Sequence, residues 1–173
     1  GPPAAGKGSL CSKLALDFGF HHLSVGDLLR SLARDHPRSL KPHVIEAIEQ
    51  NQLVDVHELA GILRSAIRDL EMQGKTRLLV DGIPRSLPQA AVLEEAIGAP
   101  DLVIFFNCPK RIARARFLTR ELPGRDGSAG GFEARSAQYA GENPRIVQHY
   151  RGRGLLLEVS CLMTRGALRS LLC

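Results

Sequence analysis

Gly1-Pro2-Pro3-Ala4-Ala5-Gly6-Lys7-Gly8-Ser9 is the stretch on which the fold turns. Two glycines bracket four residues, and a lysine follows at once. A loop of this kind curls so that successive backbone N–H groups point inward at an anion. Leu10, Leu14 and Phe18 then recur at helical spacing, and Gly19 closes the run. A helix N-terminus therefore adds its partial positive charge at the same place. Lys7 is placed to reach the outer phosphates of a nucleotide as a point charge.

A phosphate loop ordinarily follows a buried strand. The sequence opens on the loop itself, so the expectation is an N-terminally truncated domain whose first strand is missing. Loss of such a strand would expose two strand edges and part of the core.

The rest of the chain supports an α/β reading. Helical spacing or caps predict helices at Leu10–Phe18, from Ser24 or Asp27 through Ala33, at Leu40–Gln50 and at His57–Met72. Asn51 takes a helix-ending position that tolerates the left-handed conformation. Further helices are predicted after Ser86, after Pro109 to about Arg120, at Phe132–Tyr139, at Pro144–Arg151 and at Met163–Leu172. Short apolar runs at Phe20–Ser24, Leu78–Val80, Leu102–Phe106 and Leu155–Val159 read as strands, those at 78–80 and 102–106 as buried ones. Strands alternating with helices imply a parallel central sheet covered on both faces, a three-layer sandwich with ligands at the carboxyl ends of the strands. Glu121–Gly131, Gly-rich and charged, reads as a mobile loop.

The chain has 173 residues, enough for one domain with a substantial core, and its 44% hydrophobic and 24% charged content is that of a globular protein. Net charge is +5, from 23 basic and 18 acidic residues. The basic residues gather at Arg111–Arg125 and Arg145–Arg153 with few aromatics among them. Surfaces for single-stranded nucleic acid interleave stacking aromatics, so the charge is assigned to a polyphosphate and not to nucleic acid. Cys11, Cys108, Cys161 and Cys173 form no C-x-x-C pair and have no histidine at ligand spacing, which argues against zinc. Scattered in apolar stretches, they read as inert thiols of a reducing, cytoplasmic compartment. No apolar run approaches the ~20 residues that span a bilayer, and no signal or transit pattern is visible, so no membrane partner is expected. His21 and His22 are adjacent on a strand, face opposite sides, and read as structural. Asp81 ends a strand, where a phosphate-loop protein keeps the acid that works on Mg²⁺, directly or through water.

Leu23-Ser24-Val25-Gly26-Asp27-Leu28-Leu29-Arg30 and Asp81-Gly82-Ile83-Pro84-Arg85-Ser86-Leu87-Pro88-Gln89, taken with the opening loop, resemble the nucleoside monophosphate kinases, the adenylate kinase and UMP/CMP kinase family. The family loop G-x-P-x-x-G-K-G-[ST] is matched by Gly1, Pro3, Gly6, Lys7, Gly8 and Ser9, and the resemblance runs from Gly1 to about Ser160. It implies a single kinase domain over 1–173, with a nucleoside monophosphate region at 27–68 and a short lid at 121–131.

The resemblance also implies roles. Gly1, Pro3, Gly6, Lys7, Gly8, Ser9, Arg116 and Arg120 would hold ATP. Ser24, Gly26, Arg30, Asn51, Leu53, Val54, Gly82, Arg85 and Gln89 would hold the acceptor, with Arg30 and Arg85 on its phosphate. Lys7, Arg85, Arg120, Arg125 and Arg135 would surround the transferring group, and Asp81 would serve Mg²⁺ through water. Arg116 and Arg120, four apart, are expected on one helix face. The acidic pair usual after the lid arginine is absent, Arg125 being followed by Asp126-Gly127-Ser128.

The expected activity is phosphoryl transfer from ATP·Mg²⁺ to a nucleoside monophosphate by a monomer. Gln89 matches the glutamine that reads adenine in AMP-specific members, while Val25 stands where they often carry threonine and UMP/CMP types alanine. A buried amide discriminates more than one missing hydroxyl contact, so AMP is favoured and UMP/CMP is the alternative. An inactive nucleotide-binding fragment or pseudoenzyme is the alternative of another class.

Overall fold

The computed structural model describes residues 1–120 and 127–162. The chain divides into two compact units. One comprises Gly8–Pro84 and Pro88–Ala99; the other comprises Gly1–Lys7, Arg85–Leu87 and the chain from Pro100 onward. The boundary at Lys7–Gly8 runs through the start of the first helix, α1 (Lys7–Phe18).

In the unit beginning at Gly8, α1 leads to β1 (His21–Ser24), α2 (Val25–Asp35), a single 3-10 turn at Pro37–Ser39, α3 (Pro42–Glu49), α4 (Val56–Met72), β2 (Leu78–Asp81) and most of α5 (Leu87–Ile97). β1 and β2 are parallel, with His21 opposite Leu78 and Ser24 opposite Asp81. Ser24 ends β1 and caps α2, its Oγ accepting the Asp27 N–H at 3.4 Å. Asp55 caps α4 by accepting the N–H groups of His57 at 2.9 Å and Glu58 at 3.2 Å. Leu59, Leu63 and Leu70 repeat along one face of α4 and are buried with Leu23, Val25, Val44, Val54 and Leu93. Fully burying a leucine side chain is worth about 1.5–3 kcal/mol, so this cluster, more than local propensity, holds the helices to the strand pair.

In the other unit, β3 (Val103–Asn107) leads to α6 (Lys110–Thr119), α7 (Ala129–Gly152) and β4 (Leu156–Ser160). β3 and β4 are parallel, from Val103 opposite Leu156 to Asn107 opposite Ser160. Ala113, Phe117, Phe132 and Tyr150 form its core with Phe106 and Val159, and the Phe117 and Phe132 rings meet edge to face at 5.3 Å.

The mixed α/β class with parallel strands holds, as two two-stranded sheets. β2 is half-buried at all four positions and β3 is fully buried only at Phe106, against the expectation of buried strands, because each described strand has one bonded neighbour and keeps an edge. The helices expected at 132–139 and 144–151 are one helix, α7, with Pro144 inside it. A proline inside a helix costs about 3 kcal/mol. Phe132, Ser136, Ile146 and Tyr150 lie on one continuous apolar face, and the burial of the three large side chains outweighs that cost. Ser128 accepts the Gly131 N–H at 3.0 Å and starts α7 at Ala129, so Ala129–Gly131 are helical and not part of the expected loop. Residues 121–126 of the predicted lid, with Arg125, and the predicted helix at 163–172 lie outside the described residues.

Candidate active site

The residues singled out from the sequence fall in both units, and each half has its own geometry. In the unit that contains Gly1–Lys7, the loop is a tight turn in which the Ala5 N–H donates to the Pro2 carbonyl at 3.2 Å. Ala4 and Gly6 both have positive φ, 59° and 96°. A side chain at Gly1 would place its Cβ 2.6 Å from Phe106, so only glycine fits against β3. Lys7 Nζ donates to the carbonyl oxygens of Gly1 and Pro2, each at 2.8 Å. The ammonium thus lies over the mouth of its own loop.

Arg116, on α6, reaches the same loop. One arm of its guanidinium donates to the Ala5 carbonyl and the other to the Cys161 carbonyl, both at 3.3 Å. Arg120 is the C-cap of the same helix. α6 stops at Thr119, whose Oγ1 bonds back to the Ala115 carbonyl at 3.0 Å, and Arg120 continues in extended conformation. Its guanidinium stacks on the Phe117 ring at 4.3 Å, and that of Arg135, on α7, lies 5.7 Å from the same ring. One buried phenylalanine therefore gathers two of the arginines predicted to surround the transferring group. Arg85 is exposed and follows the cis Ile83–Pro84 bond by one residue.

In the other unit, Asp81 ends β2 with a carboxylate oxygen 3.8 Å from where a Cβ on Gly8 would stand. His22 Nε2 lies 3.9 Å from the same oxygen and is buried without a hydrogen-bond partner among the described residues. His22 reads as structural from its own segment, and nothing in that segment reveals this neighbour. The signal lies in the register: Ser24 is opposite Asp81, so His22 sits one side-chain step away on the same face. Burial also lowers the pKa of the adjacent His21.

Arg30 pairs with Asp27 one turn earlier on α2, and a Cβ on Gly26 would come within 3.3 Å of its guanidinium, so glycine keeps that fork in place. Asn51 adopts the expected left-handed conformation at φ 56°. Val54 is buried while Leu53 remains exposed. Gly82 has φ 104° and sits beside Val25, a position closed to a residue with a side chain. Gln89 is buried at 7% exposure.

An adenylate kinase family model matches residues 1–155. The chain belongs to the adenylate kinase family. It is 31% identical to a uridylate kinase of Saccharomyces cerevisiae over 93% of its own length and 80% of that protein. It is 31% identical to adenylate kinase isoenzyme 1 of Homo sapiens over 92% of its length and 82% of that protein. With UMP-CMP kinase 2 of Oryza sativa it shares 33% identity over 95% of its length and 66% of that protein. The chain is a nucleoside monophosphate kinase.

Two features of this kinase bear on its chemistry. Among the described residues no group of three His, Cys, Asp or Glu could hold a metal. Mg²⁺ in nucleotide sites takes one or two carboxylates, waters and phosphate oxygens, and the Asp81 carboxylate beside Gly8 fits that sparse donor set. Among the described residues no helix is long and apolar enough to cross a membrane.

Proposed function

We propose that this kinase transfers the terminal phosphoryl group of ATP·Mg²⁺ to AMP. The observation that carries the donor side is Lys7 over its own loop, 2.8 Å from two loop carbonyls, at the first residue of α1. A phosphate oxygen entering the loop would take over those contacts and add the loop N–H groups and the helix N-terminus. Gly1, Pro3, Gly6, Gly8 and Ser9 shape this cradle, and Arg116 braces it through the Ala5 carbonyl.

Arg30 and Arg85 grip the acceptor phosphate, each fork pairing two oxygens. Ser24, Gly26, Asn51, Leu53, Val54, Gly82 and Gln89 form the acceptor pocket. Arg120, Arg125 and Arg135 offset the charge on the group in flight. Asp81 would hold Mg²⁺ through water, and the ion, when bound, would supply charge neutralisation at the donor phosphates. The attacking oxygen is an ionised phosphate already, so no protein nucleophile or strong base is required. Catalysis is positioning plus charge neutralisation. The enzyme acts as a cytoplasmic monomer without nucleic acid.

AMP as acceptor rests on the buried Gln89. A UMP/CMP acceptor is the second reading, supported by Val25 in place of a hydroxyl residue and by relatives named uridylate and UMP-CMP kinases. A coupled assay with AMP, UMP, CMP and dUMP separates them. A higher kcat/KM for AMP supports the proposal, and a higher value for UMP or CMP overturns the acceptor assignment. No transfer to any of them, with ATP still bound, would make the chain a nucleotide-binding protein without transferase activity.

A further inference from the structure

Two thiols lie side by side on the loop side of the β3–β4 pair. Asn107 and Ser160 are the last register partners of the two parallel strands, and Cys108 and Cys161 are the next residues on each. The Cys161 N–H donates to the Asn107 carbonyl at 2.9 Å, so the ladder continues to this level. Partner residues on adjacent strands lie about 4.8 Å apart, inside the roughly 4.4–6.8 Å between Cα atoms that a disulfide needs. The Cys108 thiol donates to the Pro109 carbonyl at 3.9 Å, and neither sulfur is in a disulfide.

We propose that Cys108 and Cys161 form a reversible disulfide, a redox modification site that loosens the ATP loop. The oxidant is a peroxide. Cys161 is half-buried and Cys108 is only 8% exposed, so peroxide meets Cys161 first. Cys161 thiol and hydrogen peroxide give the Cys161 sulfenic acid and water. The Cys108 thiol then displaces hydroxyl from that sulfur, forming the S–S bond and a second water. Two electrons pass from the sulfurs to the peroxide. Burial first, and then the neighbouring Cys161, push the Cys108 thiol up to about 11, so the second step is slow at neutral pH and accelerates as pH rises.

The consequence for ATP follows from Arg116. Its guanidinium joins the Cys161 carbonyl to the Ala5 carbonyl, and Ala5 closes the turn that carries Lys7. Both Arg116 and Lys7 are close enough to act electrostatically on the Cys108 thiol. Drawing Cys161 toward Cys108 moves the carbonyl that holds one arm of Arg116, and the brace on the loop weakens. An inert pair of buried thiols, the reading suggested by composition, would neither cross-link nor report on ATP.

The effect on ATP rests on the loop being the donor site; the bond itself does not. The test treats the reduced full chain with hydrogen peroxide, maps peptides by mass without reductant, and measures ATP affinity before and after. The expected result is a Cys108–Cys161 cross-linked peptide lacking the two thiol hydrogens and a Kd for ATP weakened roughly tenfold, within the usual range of coupling between sites. Dithiothreitol should restore the affinity, and Cys108→Ser, which leaves the Cys161 contact with Arg116 in place, should form no cross-link and keep its ATP affinity under peroxide. Oxidation of Cys161 to sulfinic acid without a cross-link would overturn the disulfide. A cross-link that leaves ATP affinity unchanged would overturn its coupling to the loop. Failure of the reduced chain to bind ATP would count against the donor-site assignment, while the cross-linked peptide would still establish the bond.

Discussion

Lys7 Nζ lies 2.8 Å from the carbonyl oxygen of Gly1, the first residue of the loop that Lys7 closes. With the Pro2 carbonyl at the same distance, the ammonium is held where an incoming phosphate would find it. A lysine so placed is already oriented, and little side-chain freedom remains to be lost when ATP enters.

Lys7→Met removes that charge while keeping the stem. Turnover should fall about 10³-fold, the scale on which preorganised donors at a transferring group act. The thermal unfolding midpoint should stay near that of the parent chain. Near-normal steady-state kcat in the variant would remove Lys7 from the donor site.

Phe117 couples the core to the arginines. Its ring is fully buried, packs against Phe132 at 5.3 Å and carries Arg120 on its face at 4.3 Å. Phe117→Ala should cost about 3–5 kcal/mol in urea unfolding. Phe117→Leu keeps most of the volume but removes the aromatic face, so kcat should fall more than KM rises. Unchanged kcat in the leucine variant would show that stacking on Phe117 does not place Arg120 or Arg135.

Much of this arrangement was legible in the sequence. The loop, the Ser24 cap and the left-handed Asn51 are set by local chemistry, and the structure has them where the residues put them. What needed tertiary information was different in kind. Pro144 reads as a helix break, and only the continuous buried face from Phe132 to Tyr150 carries α7 through it. Spacing puts Arg120 one turn beyond Arg116, but the end of α6 at Thr119 and the stacking of the Arg120 guanidinium on Phe117 are visible only in the structure. His22 meets Asp81 through strand register, which no single segment encodes.

Acceptor choice should move with residue 89. Gln89 is buried, so shortening it withdraws an amide that water cannot replace. Gln89→Asn should lower kcat/KM for AMP by roughly tenfold or more relative to UMP and CMP, judged by the same panel assay. An unchanged ratio would place adenine recognition elsewhere.

Asp55 supplies a pH signature. Its carboxylate accepts backbone N–H groups at the start of α4, and these hydrogen bonds, led by that of Glu58, lower its pKa. A folded value below the unfolded one means the stabilisation is complete above the ordinary carboxylate pKa of about 3.9 and is lost as pH falls through the lowered value. Asp55→Ala should therefore unfold at lower temperature than the parent chain at neutral pH, with the gap closing in acid. A gap that persists below the lowered pKa would mean that the carboxylate charge is not what caps α4.

The most direct test of the central claim is a crystal structure of the chain with a dinucleotide in which ATP and AMP are joined through their phosphates. The bridging phosphates should contact Lys7 Nζ and the loop N–H groups at the donor end and Arg85 at the acceptor end. A phosphate chain bound away from Lys7 and Arg85 would contradict the account.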